Sequence, residues 1–284
     1  MPKRRSPNAE QLTGAVAYHG EGPVWSEHWG GLRWLDMLAG DILTLRADGT
    51  VSRRHVASVV ACVRPRRDGG AVLGVERGFA LESPDGAVSA MDDLWADGFR
   101  MNEGGCDPDG RFYCGSLAYD GRASAAGLYR LDPDGTVRLA LDGVSISNGL
   151  DWSPDGTRAY YNDTATGRTD VFDYDPEAGL TGRRTFVELD GAPDGLTIDA
   201  EGGVWIAVAD GGHVRRYAPD GSLDAVIDLP ATKVTACAFG GARLDQLFIT
   251  TSREGLGTTE EPVAGSLFVA VPGVRGLPVR EFAG

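Results

Sequence analysis

Three side chains with oxygen donors stand at matching places in this sequence. Glu21 lies in His19-Gly20-Glu21-Gly22-Pro23-Val24-Trp25, Asn148 in Asn148-Gly149-Leu150-Asp151-Trp152-Ser153, and Asp194 in Pro193-Asp194-Gly195-Leu196-Thr197-Ile198. Each is followed at once by glycine and then by an apolar, strand-like run. Two carboxylates and an amide oxygen form an all-oxygen donor set. Such a set suits one hard divalent cation, Ca²⁺ first, with Mg²⁺, Mn²⁺ or Zn²⁺ as alternatives. Taken singly, each residue has a plainer use: Glu21 as a turn cap, Asn148 as a left-handed residue before Gly149, Asp194 in an Asx-turn. Their recurrence at equivalent points predicts that they converge on one metal.

A fourth stretch of this kind is Arg100-Met101-Asn102-Glu103-Gly104-Gly105. Arg100 and Asn102 alternate along an extended segment, so both can face one cavity, which leaves Glu103 pointing the other way in a structural role. Asp120 follows an apolar strand and can reach the same opening. His19, His28, His55 and His213 show no metal spacing. No G-x-S-x-G elbow surrounds Ser116, Ser145 or Ser147, which disfavours a serine nucleophile.

The elements that must bring these residues together repeat. Short apolar strands at 32–37, 71–76, 111–116, 158–163, 203–208 and 246–251 follow Gly or Asp turns, spaced by roughly forty residues. That is the period of a four-stranded propeller blade. The expected fold is all-β, a six-bladed β-propeller with four-stranded blades around a central tunnel. It forms one domain over 1–284, with 1–12 as a loose N-terminal segment. The Asp-Gly pairs at 48–49, 109–110, 134–135, 155–156 and 220–221 read as hairpin punctuation, because Gly accepts positive φ and Asp bonds back to its own backbone. Two irregular stretches, 118–126 and 253–264, are expected as lids over the tunnel mouth.

Composition narrows the function. Forty-one glycines favour a turn-rich β protein, and a net charge of −14 argues against nucleic acid as partner. Cys62, Cys106, Cys114 and Cys237 form no C-x-x-C pair, so four unpaired thiols in a reducing compartment are expected. The basic start, Met1-Pro2-Lys3-Arg4-Arg5, is not followed by the apolar core of a signal peptide, and no window is apolar for long enough to span a membrane. The expectation is a cytoplasmic protein without membrane contact. Nothing in the sequence indicates an oligomeric state.

Several of these motifs in one order resemble the senescence-marker-protein/gluconolactonase/regucalcin-like family. They are Gly20-Glu21-Gly22-Pro23-Val24-Trp25, Arg100-Met101-Asn102-Glu103-Gly104, Asp107-Pro108-Asp109-Gly110-Arg111-Phe112, Ile146-Ser147-Asn148-Gly149-Leu150-Asp151-Trp152-Ser153, Pro193-Asp194-Gly195-Leu196 and Cys237-Ala238-Phe239-Gly240-Gly241. The resemblance implies a six-bladed propeller with one catalytic divalent metal in its tunnel, hydrolysing a sugar-type lactone as its small-molecule substrate. It implies Glu21, Asn148 and Asp194 as metal ligands, Asp194 also as general base, and Arg100 and Asn102 as substrate contacts. It also sets Asp120 where a relative has Glu, and Glu103-Gly104-Gly105 where that relative has Asp-Gly-Lys, differences that bear on which sugar is used. Two other readings stand beside it: a calcium-dependent phosphotriesterase-like hydrolase and a non-catalytic calcium-binding propeller.

Overall fold

In a computed structural model, which describes residues 8–257 and 259–284, the chain folds into six four-stranded antiparallel sheets set as a ring of blades. This is a six-bladed β-propeller. No α-helix occurs among the described residues, and none is long and apolar enough to cross a membrane. The inner strands, in blade order, are Gly20–Ser26, Val60–Pro65, Phe99–Cys106, Ser147–Trp152, Ala192–Ile198 and Val234–Gly240. The six apolar repeats are the second strands: Gly31–Asp36, Ala71–Val75, Phe112–Ala118, Arg158–Asp163, Val204–Ala209 and Gln246–Thr251.

Second strands read as nearly unbroken apolar runs because both their faces are covered by neighbouring blades. Val204 to Val208 are all buried, and Trp205 packs with Val214, Cys237, Phe239 and Phe268 in one core that spans the last two blades. The outermost strands face water and become polar, as in Val51–His55 and Val137–Val144. The Asp-Gly pairs form turns. Gly49, Gly135, Gly156 and Gly221 have φ of 81°, 87°, 71° and 84°. The preceding aspartates accept the N–H groups of Thr50, Thr136, Thr157 and Ser222. The four cysteines are buried free thiols.

The last blade borrows its outer strand from the N-terminal side. Glu10 pairs with Val269 and Gln11 with Phe268, and Leu12 N–H reaches Leu267 O at 2.8 Å. The expectation of a loose segment over 1–12 is therefore corrected at these residues, whose backbone groups close the ring; residues 1–7 lie outside the described range.

At the other terminus, residues 271–284 run as a strap across the tunnel end distant from Glu21. The strap meets every blade. Glu281 lies 3.5 Å from His28, and Phe282 N–H donates to Pro65 O and Ala283 N–H to Gly110 O. Arg280 Nη2 donates to Ser153 O, Ala200 N–H to Arg275 O, and Gly276 N–H to Leu244 O.

Candidate metal and active site

All six inner strands carry one residue too many, and the candidate site is built on this irregularity. From Glu21 opposite Leu35 to Val24 opposite Arg33, the inner strand advances three residues while its partner advances two. The same happens between Met101 and Gly104, Ser147 and Leu150, and Pro193 and Leu196. Shorter shifts occur at Val60/Cys62 and Val234/Ala236. A bulge bends a strand and re-aims its side chains. Asn102, Asn148 and Asp194 occupy these bulges and Glu21 borders one, so four polar side chains turn into the tunnel at one level.

Buried carboxylates at the ends of two second strands hold the backbone leading into this level. Asp36 accepts the N–H groups of Tyr18 and His19, just before Glu21. Asp163 accepts those of Ser145 and Ile146, just before Asn148. A third link joins Asn148 to the strand of Asp194. Asn148 Nδ2 donates to Thr164 Oγ1 at 2.8 Å, and Thr164 Oγ1 donates to Pro193 O at 2.7 Å. Asn162 Nδ2 pins Asp194 O at 2.6 Å.

Glu21, Asn148 and Asp194 are all nearly buried, at 3%, 4% and 8% exposure. Because Thr164 fixes the Asn148 amide nitrogen, its Oδ1 is left buried without a partner. Burial pushes the Glu21 carboxyl up to about 7, against the pull of the Gly22 N–H and Arg100. Asp194 is raised well above the usual carboxylate range by burial, then by Glu21 and Glu103. An orphaned amide oxygen between carboxylates that repel one another is the donor chemistry a hard cation satisfies. Among the described residues no three His, Cys, Asp or Glu side chains gather as a metal cluster; the donor set here includes an amide instead.

Arg100 and Asn102 do come together. Arg100 Nη1 donates to Asn102 Oδ1 at 2.6 Å, and Asn102 Nδ2 donates to Ser147 O at 2.6 Å. Arg100 is also within electrostatic reach of Glu21, Glu254 and Asp194. Asp120 is not drawn into this group. It sits on the exposed loop after Phe112–Ala118, paired with Arg122 at 2.8 Å. Both stretches expected as lids, 118–126 and 253–264, connect the second and third strands of their blades at the ligand end of the tunnel.

Two residues escaped the sequence reading. Glu103 is 4% exposed, with Oε2 unpartnered and its carboxyl raised well above the usual range by burial and by Glu21. It lines a cavity of about 80 Å³ below the ligand level, with Arg64, Asp151 and Arg280. His19 lies against Glu21, its Nε2 3.7 Å from Oε1, and burial pushes its imidazole down to about 4. Its position two residues before Glu21 on an extended strand was the available signal.

Comparison with known proteins follows the same lines. Residues 19–253 match the SMP-30/Gluconolactonase/LRE-like region. The chain is 35% identical to regucalcin of Danio rerio over 280 residues, covering 93% of this chain and 95% of that one. The crystal structure of a calcium-binding protein, regucalcin from Agrobacterium tumefaciens, superposes with a TM-score of 0.89 at 26% identity, over 98% of this chain and 97% of that one. A gluconolactonase from Xanthomonas campestris superposes with a TM-score of 0.77 at 25% identity, over 93% and 89%.

Proposed function

This chain belongs to the SMP-30/gluconolactonase/LRE-like family, and from that premise we propose that it is a metal-dependent hydrolase opening a sugar-type lactone. The observation that carries this reading is Asn148 Oδ1, buried without a partner and set beside Asp194. Glu21, Asn148 and Asp194 would hold one divalent cation, Ca²⁺ in the first instance. When bound, the cation supplies Lewis-acid polarisation of the lactone carbonyl.

The remaining chemistry falls to the chain's own groups. The Arg100 guanidinium offers hydrogen bonds to sugar hydroxyls, and Asn102, tied to Arg100 and to Ser147 O, keeps that fork from swinging away. Asp120, at the mouth, is the candidate contact for a more distant hydroxyl. Asp194 takes the proton of the attacking water on its carboxylate. Burial beside Glu21 and Glu103 raises the metal-free Asp194 carboxyl above the usual range, and a bound cation would lower it again and keep the base ionised.

The test is a pH-indicator screen of sugar lactones with metal-stripped protein, adding Ca²⁺, Mg²⁺, Mn²⁺ and Zn²⁺ separately. Acid release that needs the metal and favours a gluconolactone-like ring is the expected result. Metal binding without turnover would favour a non-catalytic calcium-binding propeller, a reading suggested by the name of the Agrobacterium neighbour. Preference for organophosphates would favour a phosphotriesterase.

Asn102→Ala is expected to lower kcat/KM by up to about 10²-fold, a size typical of lost substrate alignment. Its metal affinity should change far less. A collapse of metal affinity with normal residual kinetics would instead make Asn102 a ligand.

A further inference from the structure

Glu21 stands on the seam where the ring closes. Thr235 Oγ1, from the last blade, donates to Gly20 O at 2.6 Å, and Arg253 N–H donates to Tyr18 O at 2.9 Å. His19 and Ser252 form a bridge between the same two blades. Residues 19 and 21 share a face of the extended strand, so the His19 ring comes to lie beside the Glu21 carboxylate. The ring is held at both edges. Nδ1 is 2.8 Å from Ser252 Oγ, and Nε2 is 3.7 Å from Glu21 Oε1.

Ser252 Oγ accepts the Glu254 N–H at 3.0 Å and keeps a hydroxyl hydrogen that can be donated to His19 Nδ1 at 2.8 Å. In the tautomer that accepts it, the imidazole N–H is on Nε2, the edge that faces Glu21. Glu254 brings its carboxylate to 3.3 Å from Nδ1, but that side chain is 47% exposed and hydrated, and Lys233 Nζ holds its backbone oxygen at 2.8 Å. Glu21 Oε2 accepts the Gly22 N–H at 3.0 Å. Oε2 thus has a local donor, while Oε1 has the His19 ring edge beside it at 3.7 Å, beyond hydrogen-bond length.

We propose that His19, clamped by Ser252, is a positioning residue that holds the Glu21 carboxylate in its tunnel-facing orientation and thereby sets cation affinity. This rests on the reading of Glu21 as a metal ligand. Partners of metal ligands, when removed, typically cost about 10- to 100-fold in affinity. The amide nitrogen of a glutamine falls about where Nε2 lies, and that of an asparagine about where Nδ1 lies. His19→Gln therefore keeps an N–H at the edge facing Glu21, whereas His19→Asn keeps only the contact with Ser252.

The experiment is calorimetric titration of Ca²⁺ into metal-stripped protein, with the metal-free Tm of each variant recorded. His19→Gln should bind Ca²⁺ within about threefold of the unaltered protein, and His19→Asn about 10- to 100-fold more weakly, at similar metal-free Tm. Ser252→Ala leaves the imidazole in place but frees it to turn, and should fall between them. Equal affinities for the Gln and Asn variants, whether both kept or both weakened, would overturn the proposal. Glu21→Gln separates the two layers of argument. If it leaves Ca²⁺ affinity unchanged, the ligand reading fails and the positioning role with it. If it abolishes binding while His19→Asn binds normally, the positioning role alone fails.

Discussion

Asp194→Asn should keep part of its metal and lose most of its turnover. The substitution is isosteric, and the backbone at this bulge is held by Asn162 through Asp194 O, so the chain need not move. The amide keeps an oxygen that can coordinate, but a hard cation prefers charged oxygens, so affinity should fall. The amide cannot take a proton at neutral pH, and general-base contributions are typically about 10²- to 10⁴-fold, which sets the loss at saturating metal. Removing one of three crowded carboxylates should also relieve Glu21 and Glu103, so the metal-free variant should melt higher than its parent. Asn148→Asp is the matched control, adding charge at the metal while removing no base. Lactone hydrolysis by both variants, with metal titrated to saturation, is the measurement. Near-full recovery of Asp194→Asn would leave Asp194 a ligand alone and move the search for the base to Glu21, Glu103 and Asp120.

The second large effect is on stability. Stripped of metal, the protein should lose stability as pH rises through about 7. Glu21 holds its proton to about pH 7 when folded but releases it near 4.5 when unfolded. Between these values the folded state binds more protons, so stability present below about 4.5 is lost as pH climbs. Asp194 and Glu103, raised by the same burial and mutual repulsion, act in the same direction. His19 acts oppositely between about 4 and 6.5, because its folded form gives up its proton early. The decline should therefore be clearest above about 6.5. Thermal melts in chelator should fall as pH rises from 6.5 to 8, and saturating Ca²⁺ should remove the decline by pairing the ionised carboxylates. A metal-free Tm that climbs from pH 6.5 to 8 would refute this account.

The blades were legible because burial on both faces writes itself into sequence, as in the run from Val204 to Val208. The candidate positions were legible for a steric reason. A Cβ on Gly149 would lie 2.3 Å from Leu196 N, and one on Gly195 would lie 2.5 Å from the Ala236 Cβ, so the residue after Asn148 and after Asp194 must be glycine. Glu103 occupies the corresponding place after Asn102 without being glycine, and its Oε2 is buried without a partner. The place of His19 beside Glu21 was readable from their two-residue spacing, but its contact with Ser252, 233 residues away in the chain, was not. The pairing of Glu10 and Gln11 was hidden because two residues carry no periodicity. Asp120 pairs with Arg122, two residues on, in an exposed loop, apart from the buried group around Asp194.

The strap that touches all six blades crosses one end of the tunnel, so the opposite end, beside Glu21, is the proposed route for substrate and product. Substrate and product then share one opening, and each excludes the other while inside. On the proposed lactonase reading, ring opening would turn a neutral substrate into a carboxylate that Arg100 attracts and the net charge of −14 disfavours. The ring-opened acid should then compete with fresh lactone for the same opening, at a strength that changes with ionic strength.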